Sequence, residues 1–299
     1  MKMSQMIAIH DIHEPDTGTW QYVVADPSTM SAAVIDSVLD FEPASATITT
    51  QSADKLLALI RSKGYQVELI LETHAHADHL TAAAYLQDRL EKSQGTRPDI
   101  GIGKRIVEVQ KRFGDRYGIK SAEYAKAFDR LLDDDAEFKI GNLTATVLHL
   151  PGHTPDHVGY KIQDDIFCGD SLFNADVGSA RCDFPGGSAT QLYDSVQRLL
   201  SHAPHVKIWT GHDYPPEARA GRAVSATTVG QQREQNKHLR DGTSRDDFVA
   251  WRAERDATLK EPRLIHYALQ INIRAGRLPS PTAMGDRLVH VPLKIQSQF

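Results

Sequence analysis

The sequence predicts an α/β fold, and three observations carry the prediction. Apolar, strand-like runs recur along the chain, segments with helical periodicity lie between them, and several of the runs end directly in loops bearing glycine, histidine and aspartate. With 299 residues, 40% of them hydrophobic, the chain can enclose one large α/β domain with a full core, or two smaller ones.

Residues 19–25 and 32–36 read as short strands separated by the turn-forming Asp26-Pro27-Ser28, an antiparallel beginning. Residues 52–63 read as a helix, because Leu56, Leu57, Leu59 and Ile60 form an apolar face and Gly64 supplies a stop. The next strand is 67–71, and Thr73-His74-Ala75-His76-Ala77-Asp78-His79 follows it at once. Residues 80–90 are alanine-rich and helix-prone, so this histidine motif is expected in a strand-to-helix loop, where α/β proteins commonly keep their chemistry. Residues 97–139 are charged and read mostly as loop or helix.

Beyond them, 143–150 alternates like a strand and runs into Pro151-Gly152-His153-Thr154-Pro155. The arrangement recurs where 165–168 leads into Gly169-Asp170-Ser171 and where 206–210 leads into Gly211-His212-Asp213-Tyr214. The last third, from about residue 215, is rich in Arg, Glu, Asp and Gln, with helical patterning at 229–238 and 246–259 and outer faces expected in solvent. No internal repeat or low-complexity linker marks a boundary, so this part is expected to extend the main domain rather than form another.

The formal net charge of -5, with both signs mixed along the chain, provides no basic stripe and argues against a nucleic-acid partner. Residues 1–10 lack an apolar core of signal-peptide length, and no later run is long enough to span a bilayer. Cys168 and Cys182 are the only cysteines, too few for a disulfide framework, so free thiols in a reducing compartment and a cytoplasmic location are expected.

For any single histidine, a surface or hydrogen-bonded core role is the default, and His202 and His205 are left there. Clustering overturns that default for the others. His74, His76, Asp78, His79, His153, Asp170 and His212 all fall on loops that begin at strand ends, and such convergence is hard to explain without metal. Imidazole and carboxylate suit iron, zinc and manganese, while neither cysteine lies among the proposed ligands, which disfavours a thiolate-rich structural zinc site.

These four motifs, with Phe167-Cys168-Gly169-Asp170 as the third, resemble those of the metallo-β-lactamase superfamily over roughly residues 19–214. The resemblance implies a four-layer αβ/βα sandwich with metal at the open edge between two sheets. Residues 1–214 would form the catalytic core and 215–299 a helical C-terminal extension packed on it. Within the superfamily two readings remain open. In a binuclear thioester hydrolase of the glyoxalase II type, His74, His76 and His153 would hold one zinc, Asp78, His79 and His212 the other, and Asp170 would bridge them. The alternative is an iron(II) persulfide dioxygenase. Gly178-Ser179-Ala180-Arg181-Cys182-Asp183-Phe184 is similar to that family's Gly-x-x-Arg-x-Asp-Phe signature, although Ala75 stands where its mitochondrial members usually have Cys. Residues 256–279 are similar to a bacterial subgroup with a longer C-terminus.

The dioxygenase resemblance implies one Fe(II) per chain on His74, His153 and Asp170, which would also be the catalytic set, with His76, Asp78, His79 and His212 as surrounding groups or holders of a second metal. Substrates would be glutathione persulfide, or a similar small thiol persulfide, and O2, giving sulfite and glutathione. Arg181 offers a planar fork suited to a substrate carboxylate, and Asp183 either receives a substrate ammonium or simply holds Arg181. Cys182 reads as a buried inert thiol rather than a reactive one. Tyr214 reads as a packing group as readily as a donor and stays outside the site. A homodimer is expected by family analogy. A superfamily nuclease and a metal-stabilised, non-enzymatic scaffold are the remaining alternatives, against which stand the acidic balance and the complete ligand set.

Overall fold

The computed structural model describes residues 7–295. The first six of the ten residues read above for a leader lie outside them. Among the described residues, no helix is long and apolar enough to cross a membrane.

The chain opens with β1 (Ala8–Glu14), β2 (Thr19–Asp26), β3 (Ser31–Ile35), β4 (Val38–Glu42), β5 (Thr47–Thr49) and helix α1 (Gln51–Lys63). Then come β6 (Gln66–Leu71), β7 (Leu80–Thr81), α2 (Ala83–Gln94), β8 (Asp99–Gly103), α3 (Ile106–Tyr117), β9 (Arg130–Leu132) and β10 (Glu137–Ile140). The second half holds β11 (Leu143–His149), β12 (Val158–Ile162), β13 (Asp165–Gly169), α4 (Ala189–Leu200), β14 (Lys207–Thr210), β15 (Ala226–Thr228), α5 (Val229–Gln235), α6 (Arg245–Asp256) and α7 (Ile265–Asn272).

Two six-stranded sheets result, ordered β1-β2-β3-β6-β8-β9 and β10-β11-β12-β13-β14-β15, with a small third sheet β5-β4-β7. Side-chain alternation explains how they stack. In β2, Tyr22 and Val24 join a core shared with Val147, Tyr160 and Phe167 of the second sheet, while Val23 and Ala25 point the other way, towards Leu56 and Ile60 of α1 and Leu86 of α2. Leu192, Val196 and Leu199 of α4 cover the outer face of the second sheet with Ile166 and Ile208. The product is the expected αβ/βα sandwich with helices in its C-terminal third.

Several local expectations need correction. Residues 80 and 81 are a strand, not the start of a helix, since Leu80 and Thr81 pair with Leu39 and Val38 before α2 begins at Ala83. The segment 97–139, read as loop or helix, contains β8, β9 and β10 besides α3. Strand β8 hides its nature behind two glycines, and a Cβ on Gly101 would meet Leu71 at 3.1 Å, so close strand packing demands a residue of low strand propensity. The helix expected over 229–238 ends at Gln235, because Asn236 turns extended and its Oδ1 accepts from the amides of His238 and Leu239. In the last third, Ile265, Ala268, Leu269, Ile271 and Asn272 of α7 are all buried.

Candidate metal centre

Four loops converge at one edge of the sandwich. The loop 73–79 leaves β6, His153 follows β11, Asp170 follows β13 and His212 follows β14. The two sheets are stitched together at this edge by an isolated bridge between Thr19 and His212 and by the Trp20 amide, which donates to the Gly211 carbonyl at 2.8 Å.

Hydrogen bonds fix which nitrogen each histidine presents. Thr73 donates its amide and hydroxyl to the two oxygens of Asp36 at 2.7 and 2.8 Å. Its Oγ1 therefore accepts from His74 Nδ1 at 3.0 Å, leaving the buried His74 Nε2 with a free lone pair and no partner. His153 Nδ1 donates to the Arg181 carbonyl at 2.7 Å, which turns its Nε2 towards Asp170 Oδ2, 3.7 Å away. His76 Nε2 lies 3.1 Å from Asp36 Oδ1 and 3.2 Å from Glu72 Oε2, and its Nδ1 is buried without a partner. His79 Nδ1 faces Asp78, and its Nε2 is likewise buried and unpartnered. Orphaned buried acceptors on three neighbouring histidines are costly unless something electrophilic meets them, and a divalent metal fits that need. Burial and the surrounding histidines push the His74 pKa well below its ordinary value, which keeps it in the neutral, ligating form.

Donor atoms fall into groups within 4.8 Å of one another. One is His74, His153 and Asp170, and a second is His76, Asp78 and His79. The third, Asp36 with Glu72 and His76, is the buried brace just described, with no orphaned nitrogen facing it. His212 belongs to none of them. Its Nδ1 contacts Asp170 Oδ1 at 2.8 Å and its Nε2 contacts Asp78 Oδ2 at 2.5 Å, so both ring nitrogens are engaged by carboxylates.

A cavity of about 530 Å³ opens onto this edge, lined by His153, Asp170, Asp78, Arg181 and Tyr214 together with Lys237, Arg255 and Arg263 from the C-terminal third. Asp183 does not line it but faces a smaller adjoining cavity of about 100 Å³. Of the two roles left open for Asp183, the structure displays the second: its carboxylate takes Arg181 Nε and Nη2, each at 2.5 Å. The Arg181 guanidinium is thereby held in a fork rather than free, with the Lys260 carbonyl as a further acceptor at 2.8 Å. Cys168 and Cys182 are free and buried, and burial pushes both thiols up to about 12. Tyr214 stacks nearly parallel on His212, with ring centroids 5.8 Å apart.

Sequence reasoning missed four residues here. His157 is buried beside His74, accepts from the Asp170 amide at 3.0 Å and is pushed down to about 3 by burial, so it serves as a neutral brace. Its position four residues after His153 was a visible signal. Asp36 and Glu72 lay in plain view at strand ends, Glu72 directly before the histidine motif, but nothing local distinguished them from other acids. Asn272, whose side chain bonds the backbone of the loop 73–79, fell within the 256–279 resemblance but without a role of its own.

A protein-family model described as the metallo-beta-lactamase superfamily matches residues 15–212. Over 300 aligned residues the chain is 41% identical to a protein of Burkholderia pseudomallei (strain 1710b) named as a metallo-hydrolase, covering 96% of this chain and 99% of that one. It is 27% identical to the human mitochondrial persulfide dioxygenase ETHE1, covering 93% and 91% of the two chains. The crystal structure of ETHE1 from Myxococcus xanthus superposes with a TM-score of 0.71 at 25% identity, over 90% of this chain and all of that one.

Proposed function

The chain belongs to the metallo-beta-lactamase superfamily, and from that premise we propose that it is an iron(II)-dependent persulfide dioxygenase of the cytoplasm, working as a homodimer. Its reaction would join glutathione persulfide, O2 and water to give glutathione, sulfite and two protons. What supports a single-metal centre is the way Asp170 divides its oxygens. Oδ1 is taken by His212, whose other nitrogen is taken by Asp78, and Oδ2 is left facing His153 Nε2. His74, His153 and Asp170 then make a two-histidine, one-carboxylate set, the pattern associated with non-haem iron(II) oxygenases. Iron(II) bound there would supply the activation of dioxygen that a thiol persulfide lacks by itself.

The chain's own residues do the rest. The Arg181 carbonyl and Thr73 hydroxyl orient His153 and His74, so the signature segment around Arg181 acts through its backbone as well as its side chain. Lys237, Arg255 and Arg263 ring the cavity with positive charge suited to the carboxylates of a glutathione carrier. Asp183 keeps Arg181 directed at the same space.

Two observations favour the second reading, a binuclear zinc thioester hydrolase: the 41% identical relative is named as a metallo-hydrolase, and a second donor group is present. His76, Asp78 and His79 form another group of converging donors, with orphaned nitrogens on both histidines. Anaerobic purification, metal counting and oxygen uptake with glutathione persulfide separate the two. About one iron per chain, with oxygen uptake matching sulfite formation, is expected. About two zincs per chain, with thiol released from a glutathione thioester under argon and no oxygen uptake after iron loading, would replace the proposal with the hydrolase.

A further inference from the structure

From His74 to Asp78 the loop alternates in role. His74, His76 and Asp78 belong to the donor groups, whereas Ala75 and Ala77 are buried against Ile265, Leu269 and Ile273 in an apolar cluster formed with the C-terminal part of the chain. The wall behind the metal loop is therefore α7 and the turn after it. Ala75 and Ala77, 2% and 6% exposed, are the side chains that the loop contributes to this cluster between its donor residues.

At the end of α7 stands Asn272, 3% exposed. Its Nδ2 donates to the His76 carbonyl and to the His79 carbonyl, both at 2.8 Å, and its Oδ1 accepts from the Thr81 amide at 2.9 Å. The side-chain amide thus spends both of its N–H donors and one acceptor position on three backbone groups of residues 76–81. A second contact comes from Gly276, where an added Cβ would lie 2.8 Å from the Thr81 carbonyl oxygen, so the turn after α7 presses on the same stretch of chain. Behind it, Gln110 donates to the Ile273 carbonyl at 2.9 Å and Arg274 pairs with Glu123 at 2.7 Å, fastening α7 to the body of the protein.

The geometry points to Asn272 as a positioning residue for the metal centre: by clamping the carbonyls of His76 and His79 it sets the path of the loop that also carries His74 and Asp78. The C-terminal third is in this way a structural part of the metal site, and the clamp operates whichever metal or reaction the centre serves.

Asn272→Leu removes all three bonds at similar volume, Asn272→Ser retains a single short donor, and Gln110→Leu loosens α7 without touching the loop. Cobalt(II) loading provides the readout, through its visible spectrum and through competition with a chelator, alongside thermal melting of the metal-free proteins. Asn272→Leu is expected to weaken cobalt affinity about 10- to 100-fold and alter the visible bands, the range typical of groups that orient ligands. Asn272→Ser should fall between it and the wild type, and it carries the test alone if the Leu variant does not fold. Gln110→Leu should lower the melting temperature while leaving the bands in place. Wild-type affinity and spectrum in whichever Asn272 variants fold would overturn the inference, as would an equal spectral change in Gln110→Leu, which would make the effect one of general destabilisation. Neither readout depends on turnover, so failure here is distinguishable from failure of the proposed reaction.

Discussion

Gly169 leaves room for Thr73 and His157 beside the centre, and Gly169→Ala should damage stability and metal binding together. It ends β13 immediately before Asp170 with φ +51°, in the left-handed region, where an L side chain costs about 1–2 kcal/mol. A Cβ there would lie 2.6 Å from Thr73 Oγ1, 2.8 Å from Thr73 Cβ and 2.9 Å from His157 Cε1, whereas carbon contacts are comfortable only at about 3.5–4.0 Å. Relieving that overlap should cost about 1–3 kcal/mol more, as overpacking usually does, for a total of about 2–4 kcal/mol once the stiffening of the unfolded chain is credited. Gly118 is the natural control. It caps α3 at φ +66° with nothing within 4 Å of its added Cβ, so Gly118→Ala should carry the conformational cost alone, about 1 kcal/mol after the stiffening of the unfolded chain is credited. Urea unfolding of the chelated proteins measures both costs. Because Thr73 orients His74 and contacts Asp36, displacing it should also weaken metal retention about 10-fold or more, read by chelator competition. Equal destabilisation by the two substitutions, with unchanged metal affinity in Gly169→Ala, would refute the reasoning.

Other outcomes follow from the same coordinates. Both thiols, raised to about 12 by burial, should resist alkylation at pH 8 in the folded protein and react promptly in urea; rapid labelling of either in the native state would contradict the packing. His238, stacked on Trp251, is lowered to about 4 by burial and by Lys237 and Arg252. Its neutral form is therefore favoured on folding, so its contribution is complete above pH 6.5 and declines as pH falls towards 4. Melting curves for His238→Asn should accordingly lose less stability than wild type across that window, and parallel curves would show that His238 is not responsible. Arg181→Ala should raise KM for glutathione persulfide about 10-fold with a smaller change in kcat, since the backbone carbonyl that holds His153 is retained. A fall in kcat at constant KM would instead assign the side chain to the chemical step.

The chain by itself determined where the candidate metal-site side chains stand. His74, His153, Asp170 and His212 each follow a strand whose apolar pattern is legible over a few residues, and glycine or proline marks the loop beside the last three. Local patterning likewise placed β2, β3, α1, β6, β11, β13 and β14, while the resemblance carried by the same motifs anticipated the αβ/βα layering. It failed over residues 97–139, where the short strands β8, β9 and β10 owe their conformation to neighbours rather than to propensity: Gly101 is a strand residue because it pairs with Leu71 and Arg130 and lies close to Leu71 and Leu132. Tertiary structure also decided how the donors are aimed. His153 takes its tautomer from a carbonyl 28 residues away, and the metal loop takes its clamp from Asn272, 196 residues beyond His76. A side chain advertises its chemistry in its identity, but a backbone carbonyl or a buried amide acquires a role only from what folding brings within hydrogen-bond reach.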